Sequence, residues 1–339
     1  MQTTRIILCL MMLYTLSPCA EAVVPEYTIE DGAVRIVGVG PDNPIIYDND
    51  WWFDVFDNNY LWAQASLGAA DLRGNIVSRD MWEWESGYLY SMKQCVEDSN
   101  KALTLARSSG LKNIPDATLG SDRAMVRPAS GRIEDTEVFA SDGSRLIVAQ
   151  AKLASPQKPL LIIAGGPLTT VATALITNPE ISPNMVVFNL TVSSGGYNGK
   201  EAWSPYVVAK RTRLVEWAPN SFWDKNSVFT KDDFRDLPAN PFCDDMKRLI
   251  ESELGQANQL GDGAALVWLW QPQCWNQAER RSAVWNGRSS DFVPVTNEQV
   301  ANEAGDVLAI PKSATNLRAS REEFFRVVSS PMLFKNRSK

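Results

Sequence analysis

The stretch that decides the fold is Pro44-Ile45-Ile46-Tyr47-Asp48-Asn49-Asp50-Trp51-Trp52-Phe53-Asp54-Val55-Phe56-Asp57-Asn58. Its apolar start, Pro44 to Tyr47, has the length of a short buried strand. The strand runs into a loop that places Asp48, Asp50, Asp54 and Asp57 within ten residues. Beyond it, Leu61, Trp62 and Ala65 share a helical face and Gly68 sits where a C-terminal cap belongs, which predicts a helix over 59–67. The unit is strand, acid-rich loop, helix.

The same alternation continues along the chain. Met92, Cys95, Val96, Leu103 and Ala106 keep the helical period over 91–109, and Gly110 stops the run. Ser141-Asp142-Gly143-Ser144 reads as a helix start. Pro159-Leu160-Leu161-Ile162-Ile163-Ala164 is a fully apolar strand that runs into Gly165-Gly166-Pro167, with a helix starting at Thr169. Met185-Val186-Val187-Phe188-Asn189-Leu190 is another, followed by Gly195-Gly196. Strands that are apolar on both faces and alternate with helices predict an α/β fold: a single large domain with a mostly parallel, open, doubly wound sheet. No internal repeat divides the chain. The expected boundaries are a signal peptide over 1–22, the α/β domain over 23–290, and a helical or irregular appendage of the same domain over 291–339. In sheets of this kind ligands bind beyond the carboxyl ends of the strands, where the Asp48, Gly165 and Gly195 loops would converge.

Composition narrows the chemistry. The chain has 339 residues, 45% of them hydrophobic, enough for a full core. Its net charge of −7 is the wrong sign for a protein that must neutralise a phosphate backbone, so nucleic acid is not an expected partner. The count that excludes most is His 0: it removes Ser-His-Asp and Cys-His nucleophile systems, His-ligated zinc and any imidazole shuttle. Arg5, the apolar stretch Ile6–Leu16 and Ala20-Glu21-Ala22 have the form of a cleavable export signal, which predicts a secreted or periplasmic protein with no other attachment to a membrane. Beyond that signal only Cys95, Cys243 and Cys274 remain, too few for a four-cysteine zinc site.

Four carboxylates crowded behind one strand repel one another unless a cation holds them. Oxygen ligation without histidine suits calcium or magnesium rather than zinc or iron. The alternative is that one or two of these Asp residues cap the following helix and the others are solvated. Most of the 12 Trp residues are expected as packing, but Trp51 and Trp52 lie inside the acidic loop, where an indole can stack on a sugar or a base. Gly38-x-Gly40-x-x-Asn43 lacks the third Gly of a dinucleotide loop and leads into a strand.

Four segments, in order, resemble the inosine/uridine-preferring nucleoside hydrolases, a calcium-dependent family, and their nucleoside-hydrolase-like relatives. Ile45 to Asp50 with the later Asp54 or Asp57 resembles the family's DxDxxxDD signature. Asp98-Ser99-Asn100-Lys101-Ala102-Leu103 resembles its N-A-L helix, Gly166-Pro167-Leu168-Thr169-Thr170 its G-P-L-T-N turn, and Gly261-Asp262-Gly263-Ala264-Ala265-Leu266 its H-D-P-x-A segment. The resemblance implies one bound Ca2+, with Asp50 as ligand and general base on the attacking water. It implies Asp57, with Asp54 as competitor, as the second carboxylate ligand, and Thr169 (through its carbonyl) and Asp262 as the remaining ligands. Asp48 would support the site or cap the helix. Substrate contacts would come from Trp51, Trp52, Asn198 and Glu201, and the substrate would be a small nucleoside or glycoside. A homo-oligomer is compatible with this reading. The sequence departs from the family where Trp51-Trp52 replaces Pro-Gly and where Gly261 replaces the histidine that protonates a purine leaving group. Hence there are two expectations: a hydrolase of N-glycosidic bonds, or a catalytically impaired extracytoplasmic carbohydrate-binding protein on the same scaffold.

Overall fold

The computed structural model of the chain describes residues 25–50, 55–79, 91–190, 201–218, 229–251, 263–288, 290–294, 306–311 and 314–337. The export signal expected over 1–22 lies outside them. Strands β1 (Tyr27–Glu30) and β2 (Ala33–Ile36) form a hairpin, turned at Asp31 and Gly32 with φ of 51° and 73°.

The remaining strands make one nine-stranded sheet. In chain order they are β3 (Pro44–Asn49), β4 (Asp71–Val77), β5 (Ala117–Leu119), β6 (Leu160–Ala164), β7 (Met185–Leu190), β8 (Arg213–Ala218), β9 (Glu279–Trp285), β10 (Ser290–Pro294) and β11 (Val307–Pro311). Across the sheet the order is β10-β9-β11-β8-β7-β6-β3-β4-β5. Every pair from β11 to β5 is parallel, while β9 and β10 are antiparallel additions at one edge.

The apolar runs explain the layers. Successive residues of a strand point to opposite faces, so a strand covered on both sides must be apolar throughout. In β6, Leu161 and Ile163 enter one core while Leu160, Ile162 and Ala164 enter the other. In β7, Val186 and Phe188 separate in the same way from Met185 and Val187. The first core lies under α1 (Val55–Ser66), α2 (Met92–Ser108), α7 (Pro241–Glu251), α8 (Gly263–Trp268) and α9 (Ala314–Val328). The second lies under α3 (Asp142–Ala151), α4 (Thr169–Thr177) and α5 (Trp203–Arg211). A single turn, α6 (Lys231–Phe234), completes the α-helices among the described residues, and no helix among them is long and apolar enough to cross a membrane.

Helix ends follow the signals in the sequence. The Ser91 side chain caps α2, Ser141 and Ser144 form a reciprocal capping box on α3, and Gly68 (φ 75°) follows α1. Helix α1 starts four residues before the expected 59, because Asp57 and Asn58, which read as loop residues, are buried and hydrogen-bonded inside its first turn.

The segment expected as a helical or irregular appendage over 291–339 departs from that expectation. It supplies β11, inserted between β8 and β9 with Val307 to Ile310 fully buried, and α9, packed on α1 and α8. Phe56 at the start of α1 meets Phe234 at 4.9 Å, and Phe324 of α9 meets Phe229 at 5.0 Å, within one aromatic cluster. The C-terminal helix therefore backs the element that follows the acidic loop.

Candidate active site

The chain runs outward from β3 through β4 to β5, then returns to β3's other side and runs outward again through β6, β7 and β8. The order reverses between β3 and β6, and the crevice at their carboxyl ends is the place where an open α/β sheet takes its ligand. Asp48, Asn49 and Asp50 close β3 there, and Gly165 to Thr169 close β6. The two ends are joined by Gly165 N–H donating to the Asp48 carbonyl at 2.8 Å. From β7, the Asn189 amide donates to the carbonyls of Ala164 (2.9 Å) and Gly166 (3.3 Å).

Asp50 is 4% exposed and lies directly against Gly166. A Cβ at Gly166 would come within 3.0 Å of the Asp50 Cβ and 3.1 Å of its backbone nitrogen. The close approach of the two turns, rather than a left-handed φ, is what requires glycine.

Asp48 is buried on the same end of β3. The Ser78 hydroxyl donates to its Oδ1, the hydroxyls of Ser78 and Thr170 are 2.9 Å apart, and Ser121 N–H donates to Thr170 Oγ1 at 2.9 Å. Its Oδ2 is buried with no hydrogen-bond partner among the described residues. Burial pushes the Asp48 carboxyl up to about 7, against the opposing pull of the Ser78 and Thr170 hydroxyls. The alternative role of helix cap is not the one seen. Asp57 is also buried, in the first turn of α1, where Oδ2 accepts from the Tyr47 hydroxyl and Oδ1 from Asn58 N–H at 2.7 Å.

Thr169, the first residue of α4, donates its hydroxyl to Glu201 Oε2 at 3.0 Å. Glu201, expected among the substrate contacts, is 3% exposed, and both of its oxygens accept hydrogen bonds from the protein. Burial pushes its carboxyl up to about 7, with the bonds from Ser204, Thr169 and Met125 opposing. Its observed role is internal: it ties the β6 turn to the start of α5.

Thus Asp50, the Gly166 turn and Thr169 with Glu201 gather at the carboxyl ends of β3 and β6, with Asp48 beside them. The remaining predicted positions, Trp51, Trp52, Asp54, Asn198 and Asp262, lie outside the described residues. Ser78, Ser121, Thr170 and Ser204 were not anticipated. Hydroxyls contributed by separate elements carry no spacing signal; only Thr170, adjacent to Thr169, lay within a motif. A depression of about 610 Å3 between Asp42, Asp71, Arg73 and Lys158 lies at the opposite, amino ends of β3 and β4 and has no part in this crevice.

The donors suit a hard cation in kind. They are oxygens, two of the carboxylates are buried together at one strand end, and one Asp48 oxygen is buried without a donor, an arrangement that nearby positive charge relieves. They do not complete a site alone, since no group of three or more acidic, His or Cys side chains among the described residues could hold a metal ion. Asp54 and Asp262, expected among the ligands, lie outside the described residues.

No protein-family model matches the chain, and no curated protein matches it in sequence. Solved structures do. A plant nucleoside hydrolase superposes with a TM-score of 0.59 at 13% identity, covering 85% of this chain and 99% of its own. An inosine-guanosine nucleoside hydrolase gives 0.58 at 17% identity, covering 84% and 98%. The inosine-uridine preferring nucleoside hydrolase of Bacillus anthracis gives 0.55 at 15% identity, covering 85% and 99%. Coverage of nearly the whole of each of these structures means that this chain has the nucleoside hydrolase fold at low sequence identity.

Proposed function

We propose that the protein is an exported, calcium-dependent hydrolase of N-glycosidic bonds in small nucleoside-like molecules, with Asp50 as general base. The observation that carries this reading is the burial of Asp50 against Gly166 in the crevice between β3 and β6. The fold it shares with glycosidic-bond hydrolases supports the same reaction class. Residues 1–22 would direct export and be removed.

Cleavage of a bond to a ribosyl C1′ passes through an oxocarbenium-like transition state, so the site needs a positioned water and nearby negative charge. Asp50 takes one proton from the attacking water as its oxygen bonds to C1′, and the C1′–N electron pair leaves with the base. Asp50, Asp57 or its competitor Asp54, the Thr169 carbonyl and Asp262 would hold the cation. A bound Ca2+ would supply Lewis acidity to the water and a clamp for the sugar diol. Asp48, through Ser78 and Thr170, keeps the end of β3 fixed, and Trp51, Trp52 and Asn198 would contact the substrate.

The absence of any histidine favours a second reading, a catalytically impaired carbohydrate-binding protein, since Gly261 stands where the family has its proton donor. The hydrolase reading requires the cation, which is tested first, whereas the binding reading requires only an aromatic-lined pocket. Elemental analysis of purified protein should find calcium. Added calcium should raise the melting temperature and a chelator lower it, because a ligand of the native state alone stabilises by linkage. Asp262→Ala should remove most of that response. Metal-free protein whose melting ignores both additions would leave the buried carboxylates as structural groups alone and overturn the calcium reading.

A further inference from the structure

Arg127, in the loop after β5, is an exposed arginine set into a corner of aromatic rings. Trp203, the first residue of α5, and Trp285, the last of β9, meet nearly at right angles with ring centroids 5.4 Å apart. The Trp203 ring is fixed: it is buried, its indole N–H donates to Thr136 Oγ1 at 2.9 Å, and Tyr206 stacks on it at 5.0 Å. The Arg127 guanidinium lies over both indoles, 5.1 Å from the Trp285 centroid and 5.5 Å from that of Trp203.

The chain next to it closes the corner. Gly131 N–H donates to the Pro128 carbonyl at 2.9 Å, making a turn in which Gly131 has a φ of 71°. A Cβ at Gly131 would overlap a terminal nitrogen of the Arg127 guanidinium and stand 3.0 Å from its central carbon. Glycine is required here both for the φ and for the room.

The cations beside Arg127 in the chain and on α5 are neutralised. Arg123 pairs with Asp122, Arg132 faces Glu134 and Asp135, Lys210 pairs with Asp306, and Arg211 with Glu134. Among the described residues Arg127 has no carboxylate partner and donates no side-chain hydrogen bond. Stacking uses the faces of a guanidinium, whereas its N–H donors lie in its plane. The rings and Gly131 therefore fix the plane and leave the donors unspent.

The geometry points to a binding site for a small oxyanion, the phosphate or carboxylate group of a small molecule, held by the in-plane donors of Arg127. Two parallel N–H···O bonds match either group. A side chain already confined by two indoles and a glycine turn has little freedom left to lose on binding. The site uses neither Asp50 nor a metal ion.

Titration calorimetry of the full protein with sodium phosphate and with sodium acetate tests this, at fixed ionic strength because exposed charges are screened by salt. Wild type should bind at least one of the two saturably, with a Kd on the order of 1 mM, and the anion that saturates identifies the group. Arg127→Gln should weaken that binding roughly tenfold or more, the worth of one hydrogen bond to a charged group. Gly131→Ala keeps the arginine and its charge but drives the guanidinium off the rings, and should weaken binding in the same direction. Arg127→Lys keeps the charge without the fork and should do likewise, which covers the case of an alanine variant that does not fold. If neither anion saturates the wild type, Arg127 is a packing residue on two indoles and the proposal is wrong. Binding that survives in Arg127→Gln, or that is undiminished in a folded Gly131→Ala, would show attraction to charge in general rather than a built site, and would overturn it too.

Discussion

At the scale of single residues, the contact between Gly166 and Asp50 is a tight constraint on the crevice. The atoms a methyl group would meet are the Asp50 backbone nitrogen and Cβ, at 3.1 and 3.0 Å, and main chain at the end of a buried strand cannot swing aside as a surface side chain does. Gly166→Ala should therefore displace Asp50, lowering both calcium affinity and turnover, and should cost about 1–3 kcal/mol of stability as an overpacked site does. Urea unfolding and calcium titration would measure it; an alanine variant with wild-type values of both would show that the two turns have slack. The place of Asp50 was legible in the sequence because it follows an apolar strand at once, in a crowd of carboxylates. The Asp48, Ser78, Thr170 and Ser121 network was not, since its members come from the ends of β3 and β4, from α4 and from the loop after β5. Nor was the inward role of Glu201: the sequence offers a charged residue after a Gly-rich turn, and only the fold shows its oxygens turned to Thr169 and Ser204.

At the scale of elements, the strands that carry the site could be read from their doubly apolar runs, because a strand covered on both faces has no polar side to hide. The start of α1 could not, since its buried first turn is written in Asp and Asn that find partners only in the folded protein. Strand β11 also escaped: Val307-Leu308-Ala309-Ile310 is a short apolar run, ambiguous by pattern alone. Its place is central nonetheless, parallel to β8 on one side and antiparallel to β9 on the other. A chain ending at residue 305 would expose the β8 edge and strip Phe324, Val327 and Val328 from the core. Such a truncation should fail to unfold cooperatively and should aggregate, as read by circular dichroism and gel filtration. A soluble truncated protein with a cooperative melt would restore the appendage expected from the sequence.

At the scale of the whole molecule, a nucleoside hydrolase fold carries a site without histidine. The sheet order that creates the crevice depends on apolar patterning, which tolerates wide sequence change, whereas leaving-group protonation depends on one side chain at one place. On the proposed hydrolase reading, the fold persists while the substrate range shifts toward leaving groups that depart unaided. The central claim, that Asp50 drives water onto a glycosidic carbon, is tested most directly by comparing turnover of a nitrophenyl riboside and of inosine, at saturating calcium, by wild type and Asp50→Asn. The account predicts that wild type hydrolyses the nitrophenyl riboside far better than inosine, and that Asp50→Asn stays folded but loses roughly 10²–10⁴-fold in rate. Wild-type protein that binds calcium yet turns over neither substrate, or an Asp50→Asn variant with undiminished rate, would contradict it.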